Sequence, residues 1–323
     1  MNNNYLIGGK MNSVEALPVY TPKKKKLTKD RIILLCLATP FIIYVLSFFY
    51  VPLFGWIAAF FNYSPGMPLD KIPFVGFQYF RWMLTTERNE VVRVVINTIG
   101  MNVLYLLTTP LPVILAILLN EVRFRKFKRI VQSITTLPHF ISWVIVFSLA
   151  FSIFSSEGFL NTILQGLGLI DRNLSVLDNK GIVWTFQTAL VVWKSLGWNT
   201  IIYMAAISGI DAELYDAASV DGAGRFAKAI HITLPGLMPT YFVLLLLGIG
   251  WLFSSDITQI LMFHNGLVAP RIETIDYYAF RVGVVAFNYS YGTAIGILRS
   301  IISIVLLFSV NQVSKKIRGE SIF

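Results

Sequence analysis

Six apolar runs, each long enough to cross the hydrocarbon core of a bilayer, constrain this chain more than any other feature. They occupy residues 32–56, 94–119, 130–154, 182–210, 237–253 and 293–313. A water-soluble core does not account for them, because 55% of the 323 residues are hydrophobic and only 14% are charged, far from the balance of a soluble domain. In lipid, backbone N–H and C=O groups must be satisfied within a helix or a closed barrel. The runs are too long and too continuously apolar for alternating barrel strands. The expected fold class is therefore all-α, a polytopic membrane protein with six transmembrane helices.

Lysine and arginine set the orientation. Lys23, Lys24, Lys25, Lys26, Lys29 and Arg31 precede the first run; Arg123, Arg125, Lys126, Lys128 and Arg129 separate the second from the third; Lys315, Lys316 and Arg318 follow the sixth. With six spans these clusters share one side, expected to be cytoplasmic, as are both termini. The opposite connections, 62–93, 155–181 and 264–292, mix acids with scattered bases such as Lys71, Arg81, Arg172 and Arg281. The net charge of +10 is thus a topology signal, and no nucleic-acid partner is expected, because the bases flank spans and form no single basic face. The chain divides into a basic N-terminal tail, 1–30, a six-helix membrane domain, 31–314, with a cytoplasmic polar loop at 211–235, and a C-terminal tail, 315–323.

The first run far exceeds a signal-peptide core, and no small-x-small cleavage site follows it before Phe60-Phe61-Asn62, so it is expected to remain in the protein. Cys36, the single cysteine, lies within it; no intrachain disulfide or cysteine zinc cluster can form, and a lipid-facing or packed apolar position is expected. His139, His231 and His264 are dispersed, without an H-E-x-x-H arrangement, so no metal site is expected. There is no G-x4-GK[ST] phosphate loop, and no catalytic residues can be assigned. The chain is not expected to be an enzyme or to bind a cofactor of its own.

The loop at 211–235 carries the most specific pattern. Asp216-Ala217-Ala218 is followed after three residues by Gly222, and after nine more by Ile232-Thr233-Leu234-Pro235. Asp211 can cap a helix N-terminus, and Glu213 and Asp216 place negative charge in its early turns, where the helix dipole favours it. Leu214, Ala217, Ala218 and Asp221 share one helical face, kept low by the alanines for close approach to another protein. Gly222 and Gly224 permit a bend, Arg225 and Lys228 make the second half basic, and the residue before Pro235 is biased away from helix, which predicts a turn there. A helix lying on the membrane surface with no partner is the plainer reading of the same residues.

The spacing resembles the EAA-x3-G-x9-I-x-LP signature of permease subunits in binding-protein-dependent ABC importers, with Asp216 where that pattern has glutamate. The general likeness is to the carbohydrate-uptake class, in its polysaccharide and oligosaccharide group. The resemblance implies a type I importer core in the bacterial cytoplasmic (inner) membrane. It implies a second homologous permease, two ATP-binding subunits carrying ATP and Mg, an extracytoplasmic solute-binding protein, and a sugar or oligosaccharide substrate. It also implies that Glu213, Asp216, Ala217, Ala218, Asp221, Gly222 and Arg225 form the coupling surface for the ATPase. An ion-coupled secondary transporter and a membrane scaffold are the alternatives. The first would want an intramembrane acid, and Asp256 is expected close to the outer surface.

Polar residues inside the spans are the candidate substrate path. Lys194 sits near the middle of the fourth run, where a cation costs on the order of 3 kcal/mol on insertion scales, so it should face the bundle or a watery cavity. Gln187 and Trp198 lie on the same helical face. Lys194 can meet an anionic sugar, pair with a companion subunit, or reach the headgroups. Asn97 and Asn102 in the second run can line the path or join helices by hydrogen bonds. Pro110 and Pro112 should bend that run. Arg299, in the sixth, is expected to reach outward to the interface. Phe74, Phe77, Tyr79, Phe80 and Trp82 can pack an external loop or meet a solute-binding protein.

Overall fold

The computed structural model describes residues 29–318. The expectations for the tails at 1–28 and 319–323, including Lys23 to Lys26, lie outside the described residues. The chain forms two compact units, Met1–Phe54 and Gly55–Phe323. In the first, helix α1 (Lys29–Val45) runs into a π-helical turn, Leu46–Tyr50. Its apolar side chains are exposed almost throughout, as is Cys36, as a lipid-facing helix requires.

The second unit contains α2 (Gln78–Thr85), α3 (Arg88–Leu107), α4 (Pro110–Glu121), α5 (Arg125–Thr136), α6 (Trp143–Phe154), α7 (Phe159–Gly166) and α8 (Val183–Ser208). They are followed by α9 (Ala212–Val220), α10 (Arg225–Lys228), α11 (Leu234–Gly250), α12 (Ile257–Phe263), α13 (Ala269–Ile272), α14 (Ile275–Phe280) and α15 (Tyr289–Arg318). Among the described residues there are six helical segments long and apolar enough to span a membrane: Ile32–Phe60, Arg88–Glu121, Trp143–Gly166, Val183–Ser208, Arg225–Gly250 and Tyr289–Gln312. The fold is all-α; among the described residues the only β feature is an isolated bridge between Phe61 and Phe74.

Proline explains the breaks. Pro110 and Pro112 interrupt the second span as expected, and the carbonyls they leave free are taken up locally: Thr109 Oγ1 donates to Leu106 O at 2.7 Å, and the Leu111 N–H to Thr108 O at 2.9 Å. The third apolar run, expected as one helix over 130–154, is two. α5 ends at Thr136, a 3-10 turn carries Pro138, and Ser142 caps α6. The expected turn before Pro235 is absent. Leu234 is helical (φ −62°, ψ −49°), and a π-helical turn, Ala229–Thr233, leads straight into α11. Proline is tolerated in the first turn of a helix, and the widened turn shifts the hydrogen-bond register ahead of it.

Three apolar clusters hold the unit together. Val94, Ile275, Tyr291 and Ile295 join α3, α14 and α15; Trp143, Ile260, Val268 and Ile272 join α6, α12 and α13; Val113, Tyr203 and Leu237 join α4, α8 and α11. The external aromatics mostly pack: Phe80 lies 5.6 Å from Phe60 and Trp82 4.8 Å from Tyr291, ring centre to ring centre, although Phe74 and Phe77 remain exposed. The connection at 264–292, expected as a loop, is folded around Glu273. That buried carboxylate takes Arg93 Nη2 at 2.6 Å, Arg281 Nε at 2.9 Å and His264 Nε2 at 3.2 Å, and Arg93 also pairs with Glu90. Burial, and next the Glu273 carboxylate, push the Tyr277 phenol above its usual range.

Candidate functional site

Two cavities, of about 630 and 360 Å3, open between α3, α8 and the segment joining α11 to α12. They share a waist lined by Asn102, Tyr105, Ser195, Ser254, Ser255 and Asp256. The larger continues along Asn199, Tyr203 and Leu245, and the smaller along Trp143, Gln187, Lys194 and Gln259. Mixed apolar and hydrogen-bonding walls of this kind suit a polar solute that carries apolar ring faces.

Lys194 lies near the middle of α8 and lines the smaller cavity. Its Nζ donates to the His139 carbonyl at 2.7 Å, an acceptor left by the 3-10 turn after α5, and stands 5.7 Å from the Trp143 ring centre. No carboxylate among the described residues reaches it within ion-pairing distance, so its charge is held by a carbonyl and an aromatic face. Asp256, expected close to the outer surface, is exposed and lies beyond the end of the fifth span at Gly250, yet it lines the same cavity as Lys194. Asp256 is nevertheless occupied: Oδ2 accepts from Trp143 Nε1 at 2.7 Å, and Oδ1 caps α12 through the Thr258 N–H at 2.9 Å.

The other path candidates separate. Asn102 lines both cavities and donates to Leu252 O at 2.9 Å. Gln187 borders the smaller cavity but is 2% exposed and accepts from Gln259 Nε2 at 2.8 Å, tying α8 to α12. Trp198 lines neither; it stacks on His139 with ring centres 4.5 Å apart. Asn97 is buried in a helix-joining role, donating to Pro270 O at 3.1 Å and Glu273 O at 3.0 Å. Arg299 does not reach outward. It pairs with Asp276 at 3.0 Å and donates from Nε to Phe253 O at 3.0 Å. An arginine inside an apolar run demands a partner, and that demand was the available signal. The partner's position was not.

The polar loop forms the short helix its sequence implied. Asp211 Oδ1 accepts the Glu213 N–H at 3.0 Å at the start of α9. At the other end Gly222 has φ +78°, the Ala223 N–H reaches Ala218 O at 2.8 Å and the Gly222 N–H reaches Ser219 O at 3.1 Å. This is a Schellman closure, and it gives the glycine its physical reason. No α9 residue is buried. Glu213, Asp216, Ala217 and Asp221 are exposed, and Ala218 is half-buried. Arg225 is turned inward to the chain itself: Nε lies 2.8 Å from Glu121 Oε2 at the end of α4. Tyr215 Oη and Thr233 Oγ1, 2.9 Å apart, join α9 to the π-helical turn.

Residues 108–319 match the family described as "Binding-protein-dependent transport system inner membrane component". The chain belongs to this family. The permease is 37% identical over 289 residues to Protein LplB of Bacillus subtilis (strain 168), covering 89% of this chain and 90% of that protein. It is 34% identical over 316 residues to the polygalacturonan/rhamnogalacturonan transport system permease protein YteP of the same organism, covering 96% and 97%. Its backbone matches the crystal structure of a bacterial ABC transporter involved in the import of the acidic polysaccharide alginate. The TM-score is 0.80 at 32% identity, over 90% of this chain and 97% of that one. A second match, also with TM-score 0.80, is the alginate transporter in complex with an alginate pentasaccharide-bound periplasmic protein, at 31% identity over 91% and 97%. This permease is thus a multi-pass inner-membrane transport component of the sugar importer type.

Proposed function

We propose that this permease forms, with a second homologous permease, the membrane path of an ATP-driven importer for oligosaccharides that carry uronic acid carboxylates. The observation that carries the reading is the combination in one chain of a cavity among the helices, with mixed walls that include Lys194, and a capped helix, α9, with no buried residue. Two relatives over most of the length support the substrate class, one named for polygalacturonan and rhamnogalacturonan and one for alginate. Of two ATP-binding subunits, holding ATP and Mg, one would dock on α9 through Glu213, Asp216, Ala217, Ala218, Asp221 and Gly222, while Arg225 braces the loop against α4. An extracytoplasmic solute-binding protein would deliver the substrate at the other end. Closure of the ATPase dimer would then be transmitted through Tyr215 and Thr233 to α11, which borders the larger cavity. An ion-coupled carrier would use a free buried acid. The buried carboxylates among the described residues, Glu273 and Asp276, are both held by arginine.

The test is reconstitution of the full complex in liposomes with its binding protein and ATP. Uptake of oligogalacturonides that requires hydrolysable ATP and the binding protein is the expected result. ATP-independent uptake driven by a proton or sodium gradient would overturn it.

A further inference from the structure

α11 stops at Gly250 and α12 begins at Ile257, so residues 251–256 are unwound where two cavities meet. Unwound backbone among membrane helices must find partners outside its own ladder; here the Trp251, Leu252 and Ser254 N–H groups bond to nearby carbonyls, and other groups of the segment are met by side chains from other helices. Asn102 of α3 donates to Leu252 O at 2.9 Å and lies 3.3 Å from Ser254 O. Arg299 of α15 donates from Nε to Phe253 O and from Nη2 to Ser254 Oγ, each at 3.0 Å. Asp276, at the start of α14, accepts the Ser255 N–H at 2.7 Å through Oδ2, and its Oδ1 pairs with Arg299 Nη1 at 3.0 Å. Asp276 is 8% exposed. Beside Asn102, the segment is therefore held by one ion pair whose two members each also bond its backbone.

We infer that Arg299 and Asp276 form a latch that sets the waist between the two cavities, acting as positioning residues for the transport path. The inference rests on the importer reading, because the waist matters only if solute passes it. Ser254 and Ser255 line both cavities, so the latch bonds directly to two of the waist residues. Arginine suits the task because its planar fork meets the carboxylate, a carbonyl and a hydroxyl at once. Lysine at this position would keep the charge and lose the fork. The latch also ties the waist to α14 and α15, so a shift of α15 relative to α11 would reach the waist through one side chain.

The test uses the full complex in liposomes, with Cys36→Ser as background. Single cysteines are placed at Val191, which lines only the smaller cavity, and at Leu245, which lines only the larger. A membrane-impermeant maleimide is added from either side. With the latch intact each cysteine should react mainly from one side; in Arg299→Gln or Asp276→Asn the rate from the opposite side should rise at least tenfold, and Arg299→Lys should fall between. An unchanged side preference in assembled complexes of normal yield would overturn the inference. If both variants fail to assemble, the comparison rests on Arg299→Lys, which keeps the charge and loses the fork; an unchanged preference there overturns it too. Failure of the importer reading would appear separately, as absence of ATP-driven uptake by the unsubstituted complex, while the labelling pattern is read without transport.

Discussion

Gly197 of α8 sits against the backbone of Thr135 in α5, where a β-carbon on the glycine would overlap the Thr135 carbonyl group and the Thr136 nitrogen. The obstacle is main chain, which cannot swing aside as a side chain can. Gly197→Ala should therefore destabilise the chain by about 1 to 3 kcal/mol, the usual cost of overpacking. Gly296 in α15 is the contrast, with nothing within 4 Å of a β-carbon built there. Gly296→Ala should stabilise the isolated chain, by up to ~1 kcal/mol through helix propensity. Thermal unfolding of both variants in detergent checks the pair, and equal melting temperatures would count against the close α5–α8 contact.

What the sequence made legible was local. Six apolar runs, the Asp211 cap and the glycine that closes α9 all depend on residues within a few positions of one another. The proline break at 110–112 belongs with them. The site was less legible because its partners are distant in the chain: Lys194 finds its acceptor at His139, and Arg299 finds its counter-ion at Asp276, on a different helix. Counting charges in a span shows that a partner is needed but does not say which residue the fold will bring. Trp198 shares a helix face with Lys194 as the spacing implied, both meeting His139, but it stacks on that ring and lines neither cavity.

The closure of α9 gives a graded expectation. Gly222 has φ +78°, so Gly222→Ala should cost on the order of 1 to 2 kcal/mol locally, while Gly222→Asn should cost less, because asparagine tolerates this conformation better. If α9 is the ATPase contact, co-purification of the ATP-binding subunits should weaken in the order Ala, Asn, Gly, with insertion of the chain unchanged. Ala217→Trp, at an exposed position, should impair the same co-purification without lowering the melting temperature of the permease alone. Normal co-purification in all three variants would remove α9 from the docking role.

Orientation is checked by labelling. Lys126, in α5, and Asp70, in the external connection, are both exposed. Asp70 is a better probe than Gly76, whose φ of +57° would strain a cysteine. In the Cys36→Ser background, Lys126→Cys should react only when the cytoplasmic face is opened to reagent, and Asp70→Cys only from outside. Labelling of Lys126→Cys in intact cells by an impermeant maleimide would invert or break the six-span arrangement.

Lys194 separates the substrate reading from a structural one. Its Nζ is anchored on the His139 carbonyl at 2.7 Å and lines a cavity, and among the described residues no carboxylate lies within ion-pairing reach of it. Glutamine can keep a hydrogen bond of similar kind but carries no charge. If the cation meets uronate carboxylates, Lys194→Gln should lower uptake of oligogalacturonides about tenfold, the equivalent of ~1.4 kcal/mol of lost charge-assisted hydrogen bonding, within the range for such bonds. Neutral oligosaccharides of equal length, and ATP hydrolysis stimulated by the binding protein, should change much less. If the amine serves only to tie α8 to the turn after α5, the melting temperature should fall and both classes of substrate should lose uptake together. Lys194→Arg sharpens the comparison, because it restores the charge with a different reach. Recovery of acidic uptake in Lys194→Arg would place the function in the charge, and equal loss of both substrates in both variants would place it in the packing.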